Sequence, residues 1–280
     1  MASSRPEPHK LTLPVVISDT RPDARLSIAP LLVRFAMASN VDFLVAFLLG
    51  ILPAIGILWT SLRRFDRPYV DRTLFDDRRV FGSLAVGLVF GTIASVFALS
   101  IPRTDIVGVL VAVSASFLFE ESFKLVWLNR RRYQGRFDTT FYGVPLGTGI
   151  AASGVVAAAW ASRDVLYVPE TFGLLVLYSI GLGLVNADTG ALIGFGASRG
   201  EMWRYFLRAI AVRFAYGAFL FPFILPGIPD VYAALSVTTA AGFGLLIYYY
   251  VYRRILPGTL PEELRRELRR ERRRASLPRG

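Results

Sequence analysis

The run Glu120-Glu121-Ser122-Phe123-Lys124 sets two adjacent carboxylates near one ammonium, inside an otherwise apolar stretch. In a helix, positions three and four apart are neighbours. Lys124 therefore lies within reach of both Glu120 and Glu121, and can neutralise one while the other turns into the protein. A carboxylate left in that position is a candidate general base or proton carrier. Charge at mid-bilayer costs about 2.5–3.5 kcal/mol on insertion scales, so each such group is a functional candidate. Glu120 lies eight residues before Leu128, about 12 Å along a helix axis.

Three further polar groups fall at a similar depth. Asn186 and Asp188 lie thirteen and eleven residues before Arg199, and Arg213 lies nine after Arg204. At the helical rise, all are roughly 12–20 Å from one membrane face. One Arg and three carboxylates on three helices are most readily accommodated as partners in one buried network. Such a network is either a site or an ion-pair device that sets helix register.

The elements that carry these residues are apolar spans. The chain has 280 residues, is 54% hydrophobic and has a mean hydropathy of +0.47, too apolar for a soluble domain of this size. A helix needs roughly 20 apolar residues to cross the hydrocarbon core. Seven segments meet that need: 41–62, 81–101, 106–128, 140–160, 171–198, 205–225 and 231–252. Pro102, Pro169, Pro226 and Pro229 punctuate them. The expected fold class is all-α, a polytopic membrane helix bundle of about seven transmembrane helices. The expected organisation is a polar segment over 1–40, the bundle over 41–254 and an Arg-rich tail over 255–280.

Charge sets the direction of the spans. Arg63, Arg64, Arg67, Arg72, Arg78 and Arg79 crowd the first loop; Arg130, Arg131, Arg132 and Arg136 crowd the third. Arg199 and Arg204 flank the fifth, and ten more follow Tyr252, whereas the even loops hold Arg103, Arg163 and none. Loops rich in Arg stay cytoplasmic. The expectation is a multi-pass protein of the cell membrane, N-terminus outside and C-terminus cytoplasmic. The net charge of +11 is thereby juxtamembrane, and no nucleic-acid partner is expected.

Several chemistries are limited by composition. Cysteine is absent, and His9, in the polar leader, is the single histidine. A thiolate site and a His₂- or His₃-type metal site are excluded, a carboxylate-only metal site stays open, and no cofactor is expected. The stretch Leu26 to Ala38 is too short to span and reads as an interfacial or packed helix; no signal-peptide pattern opens the chain. Gly143 with Gly147, and Gly190 with Gly194, have the spacing that lets helices approach closely. In the tail, Thr259 and Glu262 fit a capping box, with Leu260, Leu264 and Leu268 as a thin stripe. That helix either docks on anionic lipid or an acidic partner, each basic residue adding about 1 kcal/mol, or is simply solvated.

Four features, in order, resemble the PrsW-type intramembrane proteases, relatives of the CAAX prenyl-protease superfamily. They are the first span with its loop (Pro53 through Pro68), the Glu120-Glu121-x-x-Lys124 run, the Gly-rich segment from Asp138 to Ala152, and the stretch from Asn186 to Gly194. The resemblance covers most of Val41 to about Phe219. It implies peptide hydrolysis of a membrane-anchored protein substrate, with Glu120 or Glu121 activating water. Asn186 or Arg213 would then donate to the oxyanion. The chain departs from the family pattern at Gly154-Val155, where a Glu-Asn pair is usual, and at Asn186 and near Arg213, where histidines are usual. Three functions follow: such a peptidase, an inactive relative that captures membrane proteins, or a small proton-coupled transporter using Glu120, Asp188 and Arg213 as a relay. The last lacks the internal repeats usual in transporters.

Overall fold

The computed structural model describes residues 28–66, 73–101, 105–225 and 228–275. By contacts the chain divides into Met1–Ser39 and Asn40–Gly280. Of the first unit, residues 28–39 are helical; whether the stretch Leu26 to Ala38 lies in an interface falls outside the described residues.

Every regular element among the described residues is helical. They are α1 (Ile28–Asp66), α2 (Asp77–Ser100), α3 (Ile106–Leu128), α4 (Thr139–Ala161), α5 (Pro169–Arg199), α6 (Met202–Ile224), α7 (Asp230–Tyr250), α8 (Leu256–Thr259) and α9 (Glu262–Ala275). A short 3₁₀ turn lies between α4 and α5, and a π-helical turn, Val251–Ile255, joins α7 to α8. Among the described residues seven helices are long and apolar enough to cross a membrane, the first over Asn40–Phe65 and the last over Asp230–Thr259. The fold is thus an all-α polytopic bundle.

Local chemistry explains where the helices begin and end. Asp76 caps α2 by accepting from Arg78 N at 3.0 Å, and Asp105 caps α3 by accepting from Gly108 N at 2.8 Å. Each satisfies a backbone donor that has no helical partner. Pro169 opens α5, where its missing N–H costs nothing. Gly200 closes it at φ 73°, in the left-handed region that a Cβ disfavours.

Helices α4 and α5 form the centre. Buried residues make up 61% and 50% of their apolar windows, against 28–33% for the other spans. The cause is the absence of side chains at the crossing. A Cβ on Gly147 would collide with the Asn186 carbonyl, and one on Gly143 with the Gly190 carbonyl. The two backbones meet there directly. The outer helices turn large apolar groups outward, such as Trp59, Phe81, Val89, Trp203 and Leu246, which suits lipid and would penalise the protein in water.

Most of the described Arg residues gather at one end of the bundle, and several rest on rings. Arg63 lies 4.6 Å from the Trp59 ring centre, Arg130 3.7 Å from Trp127 and Arg253 5.3 Å from Tyr249. At the same end, Arg136 forks onto Asp138 with contacts of 3.0 and 2.8 Å. That hydrogen-bonded pair holds the guanidinium above the ordinary arginine value. At the opposite end Tyr167 donates to Asp42 at 2.6 Å, tying the α4–α5 connection to α1.

The start of the tail differs from expectation. Ile255, Leu256 and Leu260 are buried in the main core with Leu192, Phe195 and Tyr205. The bundle therefore continues through Leu260. Thr259 is no N-cap of the last helix, which begins at Glu262. Its hydroxyl instead donates to the Phe137 carbonyl at 2.8 Å and meets the Thr140 hydroxyl at 2.7 Å. Burial favours that use, because these groups have no water to turn to. Leu264 packs partly against the core; the side chain of Leu268 lies outside the described residues.

Candidate functional site

Helix α3 positions three of the charged groups. Successive residues point about 100° apart on a helix with 3.6 residues per turn, so Glu120 and Glu121 must face different neighbours. Glu121 and Lys124, three apart, point towards α5. Lys124 Nζ donates to Glu121 Oε1 at 2.7 Å, to Asn186 Oδ1 at 2.8 Å and to Thr189 Oγ1 at 2.7 Å. All three donors of the ammonium are therefore used. The Thr189 hydroxyl in turn donates to Glu121 Oε1 at 3.0 Å, and Asn186 Nδ2 donates to the Leu182 carbonyl at 3.1 Å. Glu121, Lys124, Asn186 and Thr189 are each fully buried. Only Glu121 Oε2 is without a hydrogen-bond partner. This knot is sealed.

Glu120 points the other way, to α6. Its Oε2 accepts from Arg213 Nη2 at 2.6 Å, a charge-assisted length. Arg213 is 2% exposed and lies 4.5 Å from the Phe117 ring centre. Its Nε and Nη1 have no hydrogen-bond partner within the protein. Glu120 keeps 16% of its side chain accessible. Both residues line a cavity of about 390 Å³ among α2, α3, α4, α5 and α6. Leu99, Ser162 and Ile224, at the helix ends opposite the Arg-rich end, also line it. The cavity thus runs from the ion pair towards that opposite end.

Asp188 joins neither group, which corrects the expectation of one shared network. It is 1% exposed, and neither carboxyl oxygen has a hydrogen-bond partner. It is three residues from Val185 and seven from Gly181, the pair that α7 meets through Gly244. By helical phase Asp188 faces α7, away from the Lys124 knot. A relay through Glu120, Asp188 and Arg213 has no support in this arrangement.

Two residues escaped the sequence reading. Thr189 was visible only as part of the Asn186-to-Gly194 stretch, although its place three residues after Asn186 puts both on one face. Gly154 was visible only as a missing carboxylate; it lines the cavity. Among the described residues no group of three His, Cys, Asp or Glu side chains is placed to hold a metal ion.

Fold and site define a multi-pass helical protein with an ion pair at the floor of a mostly apolar cavity. Comparison with known proteins finds no matching family model, no similar curated protein and no similar solved structure.

Proposed function

We propose that the chain is a PrsW-like intramembrane peptidase acting on a membrane-anchored polypeptide, with Glu120 as general base and Arg213 as oxyanion donor. The observation that carries this reading is the pair of unused donors on Arg213, buried beside a carboxylate in a cavity large enough for a ligand. Glu120 takes a proton from water as the water oxygen adds to the amide carbon. Arg213 Nε or Nη1 holds the oxyanion. Glu120 then returns the proton to the amide nitrogen as the C–N bond breaks. Glu121 has no part in the chemistry on this reading, since Lys124 and Thr189 enclose it.

The test is cleavage of a single-span substrate library by the protein in nanodiscs. Glu120→Gln should slow cleavage by roughly 10²–10⁴-fold, the range for losing a general base, in protein that still folds. Cleavage that survives Glu120→Gln, or is absent from the unaltered protein, would overturn the hydrolytic reading. The contact of 2.6 Å between Arg213 and Glu120 favours one second reading, a non-catalytic relative whose cavity captures membrane segments. Its mark is retained capture of the same substrates without cleavage. The reading also places the cavity mouth outside and the C-terminus in the cytoplasm. A reporter fused after Gly280 should be active only in the cytoplasm.

A further inference from the structure

The cavity wall is uneven. From α2 and α4 it takes Ala94, Ala98, Ala157 and Ala158, whereas α5 and α6 contribute Leu182, Leu220 and Phe223. At the closed end, the ion pair offers donors on Arg213 and acceptor oxygen on Glu120, with no net charge. An anionic ligand would meet Glu120, and a cationic one Arg213. The group that suits both is neutral and carries one acceptor and one donor. An amide meets that description.

Gly154 stands apart from the other glycines of α4. A Cβ on Gly143, Gly147 or Gly149 would strike the backbone of a neighbouring helix. A Cβ on Gly154 would meet only Leu182 Cδ2, at 3.6 Å, an ordinary contact. Packing therefore gives no reason for glycine at this position. Its effect is on the cavity, whose wall it lines four residues from Ala158 and on the same helical face.

We infer that the cavity binds an extended apolar peptide stretch whose amide meets Arg213 and Glu120, and that Gly154 sets how large a side chain the stretch can carry. This rests on the polypeptide substrate of the proposed function, but requires only binding and not hydrolysis. Glycine at 154 leaves room for a bulky aliphatic or aromatic group, and a branched residue there removes it.

The chain has no cysteine, so Ala158→Cys gives a single reporter thiol in the cavity. Its alkylation by a small maleimide is timed with and without blocked tripeptide amides bearing a central alanine, leucine or phenylalanine. The leucine and phenylalanine probes should slow alkylation. Adding Gly154→Val should weaken their protection by about tenfold, the scale of a few methylenes in a pocket, and leave that of the alanine probe. Gly154→Ala should act in the same direction with a smaller loss, and serves if the valine variant does not fold. Equal protection in the glycine, alanine and valine forms would overturn the inference, as would free alkylation with every probe. Side-chain-dependent protection without cleavage of any substrate would uphold it while removing the hydrolytic reading. Cleavage insensitive to residue 154 would do the reverse.

Discussion

Glu120 and Glu121 are neighbours in the chain, yet one belongs to a sealed knot and the other to a cavity. Around Lys124 each donor has an acceptor, and Glu121, Asn186 and Thr189 exclude solvent. Around Arg213 one donor is matched and two are not, and the carboxylate opposite keeps some accessibility. A buried cluster whose ammonium donors are all matched locks two helices together; one with unmatched guanidinium donors beside a void is where a ligand gains most. The difference suits the first pair to fixing the register between α3 and α5, and makes the second the pair on which the proposed chemistry rests. A count of charges per helix would have treated them alike.

The contrast predicts unequal costs. Lys124→Met should be the most damaging change, losing roughly 3–5 kcal/mol because it strands Glu121 in the core. Chemical unfolding in detergent would measure it, and a loss as small as that of a surface variant would break the idea of a sealed knot. Arg213→Ala should cost less, about 2 kcal/mol, because Glu120 can turn to the cavity. Arg213→Lys should recover part of that, and identical melting of the two variants would show that the charge pair is not what Arg213 supplies. Thr189→Val should cost about 1–2 kcal/mol, because it removes two buried hydrogen bonds, one from Lys124 and one to Glu121, and should leave substrate cleavage or capture unchanged. An effect of Thr189→Val on function with stability intact would draw the knot into the site and erase the distinction.

Much of the bundle was legible from residue order because a membrane allows few solutions. The segment 106–128 coincides with α3, and five others differ from their helices by at most four residues at either end, whereas α1 begins 13 residues before the segment 41–62. The shared face of Glu121 and Lys124 was legible too, since helical spacing alone brings residues three apart together. Asp188 was not: its depth resembles that of Asn186, but a two-residue step turns it about 200° around the helix, towards α7 rather than α3. Nor was the end of the bundle legible. The tail was expected from residue 255, while Leu256 and Leu260 return to the core.

Hydropathy and charge spacing by themselves determined that this chain forms apolar helices with Arg at alternate ends, because hydrocarbon tolerates neither open backbone nor unpaired charge. The close meeting of α4 and α5 was also written locally, in glycines four residues apart. Which carboxylate is enclosed and which is reachable was decided only in three dimensions. That choice depends on the rotation of α3 against α5 and α6, and on the void opposite Gly154, and both are set by packing among helices distant in the chain.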